Sequence, residues 1–288
     1  MTDKYAVIGN PIAHSKSPQI HRAFADQFRN TDTPQDISYE AKQVPIEGGF
    51  ENFVNDLKAQ GYRGVNVTVP FKLEALLFVA KSENGLVKPL ANKARAVNTI
   101  SFNVEGSITG DNTDGIGLVK DITKNLNFEI KMKRVLLVGS GGAAFGVSQP
   151  LCNENPSQLI ITNRDFAKAE VIAKILSELI DTGQTDTVCM AKRFDELGDM
   201  EFDLVINSTS TGLSDIALPI PDSIFAKDCL AYEMFYGRVT PFMARARASG
   251  AQVFDGLGML VEQAAEAFYL WRGVRPETAP VIAMLRNI

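Results

Sequence analysis

The amino-acid sequence predicts an α/β protein with two domains, and three observations support this class. The chain has 288 residues, which at about 150 residues per domain is enough for two. Short apolar runs alternate with segments of helical periodicity, as in mainly parallel sheets that are covered by helices. A glycine-rich turn follows the apolar run 135–138, as at the start of a Rossmann-type fold.

The first half of the chain predicts a series of strands and helices. A strand at 5–8 precedes Ser17 and Pro18, which are expected as the N-cap and first turn of a helix over 19–28. Two short strands should form a hairpin before a helix that starts at residue 114. The remaining predicted segments are a strand at 37–44, a helix at 47–60, a strand at 64–69, a helix at 73–81, hairpin strands at 97–102 and 107–110, and a helix at 114–126.

A second series of strands and helices begins at residue 134. Its predicted strands are 135–138, 159–162, 203–207 and 230–232. Apolar residues from Leu257 to Trp271 recur at spacings of three and four, which predicts a long amphipathic helix. We expect the joint between the domains at 111–114.

Composition and charge exclude several classes of function. The chain carries 29 Lys and Arg against 34 Asp and Glu, so no extended basic surface is available to bind nucleic acid. No stretch approaches the roughly 18 uninterrupted apolar residues of a membrane span. Three scattered cysteines favour the reducing cytoplasm, and the two histidines match no metal-ligand spacing. We therefore expect a cytoplasmic protein with no metal.

The glycine-rich turn predicts a nucleotide site. Gly139, Gly141 and Ala144 have the G-x-G-x-x-A spacing between a strand and a helix. Such a turn lets a pyrophosphate approach the backbone at a helix N-terminus. The alternative is a plain turn whose glycines serve only packing.

The end of the next strand favours NADP over NAD. Asn163 and Arg164 stand there, about 20 residues after the glycines, where NAD enzymes carry an acid for the ribose 2′-hydroxyl. Arg164, with Lys168, can bind a 2′-phosphate through charge-assisted hydrogen bonds. Asp165 would repel that phosphate, and a solvated surface turn is the alternative.

Polar side chains in the first half suggest a second binding region. Ser15 and Ser17 precede a helix, where hydroxyls and backbone N–H groups can hold a small carboxylate, although spacing alone favours Ser17 as a simple cap. Asn66 and Thr68 alternate with valines, so both face one side of their strand, near Lys72.

Several sequence blocks, taken in order, resemble the shikimate dehydrogenase family. The resemblance covers essentially the whole chain and is more specific than a dinucleotide fingerprint. Besides the glycine-rich turn, the blocks are Gly9-Asn10-Pro11-Ile12, His14-Ser15-Lys16-Ser17-Pro18, Asn66-Val67-Thr68-Val69-Pro70-Phe71-Lys72, Ala96-Val97-Asn98-Thr99, Gly110-Asp111-Asn112-Thr113-Asp114-Gly115, Asn207-Ser208-Thr209 and Asp255-Gly256-Leu257-Gly258-Met259-Leu260.

The resemblance implies an NADP-dependent oxidoreductase of aromatic amino acid biosynthesis that interconverts 3-dehydroshikimate and shikimate. It implies a substrate-binding and catalytic domain at 1–110 with 256–288, and a Rossmann-like NADP-binding domain at 111–255. Lys72 and Asp111 match the catalytic pair of the family and are expected to act as one coupled proton site. The implied substrate ligands are Ser15, Ser17, Asn66, Thr68, Asn98, Tyr236 and Gln263. The expected cofactor ligands are Gly139, Gly141, Gly142, Ala143, Ala144, Asn163, Arg164, Lys168 and Gly256.

Other functions stay open at this point. A quinate/shikimate dehydrogenase of the same fold would use NAD or both cofactors, but the two serines at 15 and 17 favour shikimate. A methylene-tetrahydrofolate dehydrogenase shares a comparable layout without accounting for the serine and Asn-Val-Thr blocks. A non-catalytic NADP-binding sensor is opposed by the presence of both Lys72 and Asp111. The expected partner is a small-molecule substrate, with no nucleic acid or membrane, and the chain is expected to be a monomer or homodimer.

Overall fold

The protein is described by a computed structural model over residues 2–103, 105–181, 186–213 and 215–287. Its backbone forms two compact α/β units, Met1–Gly117 with Leu260–Ile288, and Leu118–Met259. The limits of the units therefore lie a few residues beyond the domain boundaries expected at 110/111 and 255/256. The predicted class of two α/β domains is confirmed.

The first unit contains a mixed six-stranded sheet in the order β2-β1-β3-β5-β6-β4. The pairs β1–β2, β1–β3 and β4–β6 are parallel, and β3–β5 and β5–β6 are antiparallel. The strands are β1 Asp3–Gly9, β2 Ile37–Gln43, β3 Tyr62–Val67, β4 Gly85–Val87, β5 Thr99–Phe102 and β6 Ile108–Asp111. The helices that begin in this unit are α1 Ser17–Gln27, α2 Phe50–Ala59, α3 Lys72–Lys81, α4 Pro89–Ala94, α5 Asp114–Lys120 and α10 Ala279–Arg286.

The second unit contains a parallel six-stranded sheet in the order β12-β11-β10-β7-β8-β9. Read from its other edge, this sheet has the 3-2-1-4-5-6 order of a doubly wound Rossmann fold when the strands are counted within the unit. Its strands are β7 Arg134–Val138, β8 Gln158–Thr162, β9 Val188–Ala191, β10 Phe202–Asn207, β11 Phe225–Glu233 and β12 Gln252–Asp255. The helices that begin here are α6 Gly142–Asn153, α7 Phe166–Asp181, α8 Pro241–Ala248 and α9 Leu257–Arg272.

Burial explains the elements that the sequence pattern predicts best. All four residues from Val135 to Val138 are 0% exposed, as expected of a central parallel strand whose two faces are both covered. The long amphipathic helix is α9, and Val261, Ala264 and Phe268 on its apolar face are also 0% exposed. The residues of these apolar patterns form the cores that position the polar residues of the site.

The sequence pattern predicts other elements less well. The strands β4, β9 and β12 were not predicted, and each is an edge strand of three or four residues, too short for a clear period. Helix α1 starts at Ser17 with Lys16 in the N-cap position, so the expectation that Ser17 is the cap is wrong. The helix expected over 114–126 is α5 followed by a π-helical turn at Asp121–Asn125.

No helix in the described part of the chain is long and apolar enough to cross a membrane. Among the same residues, no group of three or more His, Cys, Asp or Glu side chains could hold a metal ion.

Candidate active site

A lysine–aspartate ion pair lies in the first unit where two helices begin. Lys72 is the first residue of α3 and Asp114 is the first residue of α5. The distance from Lys72 Nζ to Asp114 Oδ2 is 2.5 Å, and the side chains are 25% and 12% exposed. Asn98 Nδ2 donates to the other carboxylate oxygen at 2.8 Å. The pair is shielded but reachable from solvent, and it can exchange a proton with a bound hydroxyl group.

The carboxylate that meets Lys72 is therefore Asp114 and not Asp111, which corrects the pair expected from the sequence. Asp111 Oδ1 instead accepts a hydrogen bond from the backbone N–H of Asn112 at 2.7 Å. Within the described residues Asp111 makes no ion pair with Lys72. Burial raises the pKa of Asp111, and the charge of Glu266 on α9 adds to this effect.

Strand geometry explains the correction. Asp111 is still part of β6 and lies opposite Thr99 in the hairpin, so its side chain is fixed to one face of the sheet. The turn Asn112–Thr113 carries the chain off the strand, and Asn112 Oδ1 accepts the backbone N–H of Asp114 at 3.1 Å. This turn places Asp114, three residues later, against Lys72.

A hydrogen-bonded cluster of amides and hydroxyls surrounds the ion pair. Asn66 on β3 is 7% exposed and Asn98 is 3% exposed. Asn66 Nδ2 donates to Thr99 Oγ1 at 3.0 Å, and Thr99 Oγ1 donates to Asn98 Oδ1 at 2.9 Å. Asn98 Nδ2 also donates to Thr113 Oγ1 at 3.0 Å. The cluster thus fixes the direction of each buried amide.

The other expected substrate ligands lie in both units. In the first unit, Ser15 Oγ accepts the backbone N–H of Ser17 at 3.3 Å, Thr68 is partly exposed just after β3, and Gln263 Oε1 accepts from Thr113 Oγ1 at 3.5 Å. Tyr236 belongs to the second unit. Burial raises the pKa of its phenol, so Tyr236 is a neutral hydrogen-bond donor.

The glycine-rich turn of the second unit is shaped to admit a ligand. Gly139 has φ +116°, and a Cβ there would lie 2.5 Å from Ser208 Oγ, whereas a Cβ at Gly141 or Gly142 would meet nothing within 4 Å. Gly141 is the N-cap residue of α6. The backbone is therefore open where a pyrophosphate would approach, and the helix N-terminus favours its charge. These residues fit a dinucleotide.

Two buried hydroxyls beside this turn support the same fit. Among the described side chains, Ser140 Oγ and Thr162 Oγ1 have no hydrogen-bond partner. Leaving a buried hydroxyl unsatisfied costs about 1–3 kcal/mol. Ser140 lies between Gly139 and Gly141 in the turn, and Thr162 O accepts the backbone N–H of Gly139 at 2.8 Å. A polar ligand at the turn would offer these hydroxyls the partners they lack.

The remaining cofactor residues also lie in the second unit. Ala143 follows Gly142 in the first turn of α6, and Ala144 is 0% exposed. Asn163 Nδ2 donates to the carbonyl of Asp165 at 2.9 Å, and Arg164, in the turn after β8, is exposed. Lys168 pairs with Asp165 at 3.3 Å.

Gly256 directly follows β12, and its N–H donates to the carbonyl of Phe235 at 3.1 Å. A Cβ at Gly256 would lie 2.2 Å from the carbonyl oxygen of Met234. Only glycine therefore fits this close approach of two backbone segments.

Four members of the polar cluster were not predicted from the sequence: Asp114, Thr113, Thr99 and Tyr39. One signal could have indicated Asp114: Asp114-Gly115 follows a turn-forming Asn112-Thr113 pair and starts a helix. Carboxylates are favoured in the first turn of a helix. No comparable signal marks Tyr39, because its partner Asn66 is 27 residues away in the chain.

Comparisons with known proteins agree with these features. Three family models match successive parts of the chain: the shikimate dehydrogenase substrate binding domain at residues 7–100, shikimate / quinate 5-dehydrogenase at 120–216, and the shikimate 5'-dehydrogenase C-terminal domain at 256–286. A relative from Methylobacillus flagellatus, named shikimate dehydrogenase (NADP(+)), is 54% identical over 99% of each chain.

Two solved structures are also similar over nearly the full length. An Ael1 enzyme from Pseudomonas putida has a TM-score of 0.86 at 41% identity, covering 99% of this chain and 98% of that one. Shikimate 5-dehydrogenase from Thermus thermophilus, in complex with NADP(H) and shikimate, has a TM-score of 0.81 at 30% identity over 99% of both chains. With the polar cluster, the Rossmann-type unit and these matches, the chain belongs to the shikimate dehydrogenase family.

Proposed function

We propose that this chain catalyses the reversible, NADP-dependent reduction of 3-dehydroshikimate to shikimate in the cytoplasm, as an enzyme of aromatic amino acid biosynthesis. The observation that carries the proposal is the Lys72–Asp114 ion pair set among hydrogen-bonding amides and hydroxyls. The Methylobacillus flagellatus relative is named as an NADP(+) enzyme, and the Thermus thermophilus structure is described as holding NADP(H) and shikimate.

The ion pair accounts for the proton in the reaction. When a carbon that bears a hydroxyl gives up hydride, the hydroxyl must also lose its proton, and the reverse reaction needs an acid at that oxygen. Lys72 Nζ and Asp114 Oδ2 share a short contact, so they act as one coupled proton site rather than as a separate acid and base. Asn98 orients the carboxylate by its hydrogen bond to Oδ1.

The polar groups around the pair account for recognition of a polyol acid. We assign the ring hydroxyls to Asn66, Thr68, Asn98 and Gln263, and the carboxylate to Ser15, Ser17 and Tyr236. A site built from such groups rejects analogues that lack a hydroxyl, because its own buried polar atoms would be left unpaired. All of these groups come from a single chain, so the proposal holds for a monomer and for a homodimer.

The second unit supplies the cofactor site in this proposal. The residues assigned to it are Gly139, Gly141, Gly142, Ala143 and Ala144 at the turn, Asn163, Arg164 and Lys168 after β8, and Gly256 after β12. When bound there, the nicotinamide of NADP supplies the hydride donor or acceptor. The open glycine positions would admit the pyrophosphate, and the exposed Arg164 guanidinium would bind the 2′-phosphate.

A matrix of assays tests the function. Formation of reduced nicotinamide is followed with shikimate and with quinate, each in the presence of NADP and of NAD. We expect turnover with shikimate and NADP, and much lower kcat/KM for the other combinations. Comparable rates with quinate or NAD would favour the broader quinate/shikimate enzyme, and no turnover in any combination would favour the non-catalytic sensor.

A pair of lysine variants tests the role of the ion pair. Lys72→Ala should lower kcat by about 100-fold or more, with a smaller change in KM, since general acid–base catalysis contributes roughly 10²–10⁴-fold. Lys81→Ala is the matched control, because Lys81 is the exposed last residue of the same helix α3. Equal activity of the two variants would contradict the assignment.

A further inference from the structure

The phenol of Tyr39 is buried in the first unit beside the proposed substrate site. Tyr39 lies on β2, and its Oη is 2.7 Å from Asn66 Oδ1. The ring stacks on His21 with centroids 4.0 Å apart and planes 6° apart. Tyr39 does not appear in any sequence block that pointed to the family, and it does not reach the ion pair directly.

Hydrogen-bond directions can be assigned from a single backbone donor. The backbone N–H of Thr113 can only donate, and it donates to Asn98 Oδ1 at 2.9 Å. The other side-chain atom of Asn98 is therefore its NH₂ group, which donates to Asp114 Oδ1 at 2.8 Å. The orientation of the Asn98 amide follows without any assumption about its neighbours.

The same reasoning extends outward from Asn98. Thr99 Oγ1 lies 2.9 Å from Asn98 Oδ1 and must donate to it, since a carbonyl oxygen only accepts. Thr99 Oγ1 then accepts from Asn66 Nδ2 at 3.0 Å, so Asn66 presents Oδ1 to Tyr39. The phenol must therefore be the donor in its bond to Asn66.

The bonds form one chain with a single direction, Tyr39 to Asn66 to Thr99 to Asn98 to Asp114. Burial raises the pKa of Tyr39 well above its usual value, and a hydrogen bond from Ser17 offsets only part of that. The phenol therefore keeps its proton and donates at all physiological pH values. Each donor polarises the next group in such a chain, which strengthens the bonds cooperatively.

Removing the phenol would leave the Asn66 carbonyl without its partner. Only the bonds that Asn66 Nδ2 donates, to Thr99 Oγ1 at 3.0 Å and to the backbone carbonyl of Asn98 at 3.3 Å, would then oppose an exchange of the O and NH₂ groups. After such an exchange Thr99 would face a carbonyl oxygen on Asn66 as well as one on Asn98, and its one hydroxyl proton cannot serve both.

We infer that Tyr39 is a positioning residue, whose phenol holds the Asn66 amide in the orientation that places Nδ2 on Thr99, at the outer end of the hydrogen-bonded chain that leads to Asp114. This inference rests on the proposed function, because it concerns the site that would bind 3-dehydroshikimate and shikimate. Tyr39 contacts Asn66 and also accepts a hydrogen bond from Ser17, and by this assignment it touches neither the ion pair nor the substrate.

Kinetics of Tyr39→Phe test the inference, since this variant keeps the ring and its stacking on His21. We expect KM for shikimate to rise about tenfold, as for loss of a hydrogen bond that orients a ligand group, while KM for NADP stays unchanged.

Thr99→Val breaks the same chain two bonds further in. It should likewise raise KM for shikimate and leave KM for NADP unchanged. Tyr62→Phe is the matched control, because its phenol bonds to Glu40 outside the chain, and it should match the wild type. Unchanged KM for shikimate in Tyr39→Phe, or equal rises in both KM values, would overturn the positioning role.

A double-mutant cycle in urea unfolding tests the chain independently of catalysis. If Tyr39 and Thr99 belong to one chain, the double variant Tyr39→Phe with Thr99→Val is destabilised by clearly less than the sum of the single variants. Additive effects would overturn the inference. If the wild type does not turn over shikimate, the proposed function fails and the positioning role fails with it. Destabilisation of the double variant that is less than additive would then show that the hydrogen-bond chain exists although the proposed function fails.

Discussion

The polar cluster of the first unit and the glycine-rich turn of the second show two ways of preparing a site. In the cluster, buried polar groups satisfy one another: Asn66, Thr99 and Asn98 are each bonded to the next. At the turn, Ser140 Oγ and Thr162 Oγ1 are buried with no partner among the described residues. One region is organised by its own hydrogen bonds, and the other is shaped for a ligand that completes it.

The difference predicts where substitutions should affect stability and where they should affect binding. In a satisfied network, removal of one member leaves its neighbours unpaired, which costs about 1–3 kcal/mol for each buried group. At an open turn, a side chain that meets no protein atom costs little in the free protein and acts on the ligand alone. The following substitutions test this contrast.

The largest effect is expected for Asp114→Asn. The variant keeps the volume of the side chain but removes the negative charge that faces Lys72 Nζ at 2.5 Å. We expect kcat for shikimate oxidation to fall by about 1,000-fold, within the range for loss of an acid–base group. Steady-state kinetics with shikimate and NADP measure this change.

Asp111→Asn is the matched control for Asp114→Asn. It makes the same chemical change three residues earlier, at a carboxylate that bonds to the backbone N–H of Asn112 and not to Lys72. We expect a loss of kcat of less than about tenfold, because the acid–base pair itself stays intact. A larger loss in Asp111→Asn than in Asp114→Asn would restore the pair that the sequence suggested and refute the geometric assignment.

The next effect separates two glycines of the same turn. Gly139→Ala should lower the unfolding free energy by about 3 kcal/mol, because φ is +116° and the new Cβ would lie 2.5 Å from Ser208 Oγ. Gly141→Ala should leave stability unchanged, since its Cβ would meet nothing within 4 Å. It should instead raise KM for NADP by blocking the approach of the pyrophosphate. Urea unfolding and cofactor titration measure the two properties, and equal destabilisation would contradict the open turn.

Sequence reasoning predicts the fold better than the geometry of the site. Long apolar runs such as Val135–Val138 and the face of α9 are local patterns, and their burial follows from their composition. The edge strands β4, β9 and β12 are too short to show a period. The order of the strands in each sheet could not be predicted from local patterns, because it depends on the topology of the whole chain.

The candidate site shows the same limit in its side chains. Motif blocks indicate Lys72, Asn66 and Asn98, but the block 110–115 contains two aspartates, at 111 and 114. Choosing between the two requires the register of β5 with β6 and the turn that follows. Tyr39 has no sequence signal at all, because its place depends on the pairing of β2 with β1 and of β1 with β3.

A smaller effect is expected from His21, which stacks on Tyr39 beside the polar cluster and whose buried ring nitrogens have no hydrogen-bond partner among the described residues. Burial lowers the pKa of His21 from 6.5 to about 3, so the folded state disfavours its protonation. The contribution of the neutral His21 side chain to the unfolding free energy is fully present above about pH 6.5 and is lost as the pH falls towards 3. At about pH 5 the unfolding free energy should be about 2 kcal/mol lower than at about pH 8 from this residue alone.

Urea unfolding of His21→Phe at both pH values measures that contribution. The phenyl ring preserves stacking and cannot be protonated, so the difference between the two pH values should shrink by about 2 kcal/mol relative to the wild type. His14→Ala is the control, because His14 is exposed, and its variant should keep the wild-type pH dependence. An unchanged pH dependence in His21→Phe would show that the imidazole is not the group responsible.

The smallest effect concerns cofactor choice at the open region. Arg164 is exposed and, over the residues that the structure describes, forms no ion pair, whereas Lys168 is 3.3 Å from Asp165. Arg164→Ala should therefore leave thermal stability unchanged and lower kcat/KM with NADP about tenfold, with little change for NAD.

The neighbouring charges at 165 and 168 should have smaller effects. Lys168→Ala should lower kcat/KM with NADP by less than Arg164→Ala does, because Asp165 already neutralises part of the charge of Lys168. Asp165→Ala should raise the preference for NADP, since it frees Lys168 and removes a carboxylate from beside the phosphate. Opposite signs for the changes at 164 and 165 would show that cofactor choice depends on the charge balance of this turn, whereas equal losses with NADP and NAD would place Arg164 at a part of the nucleotide that both cofactors share.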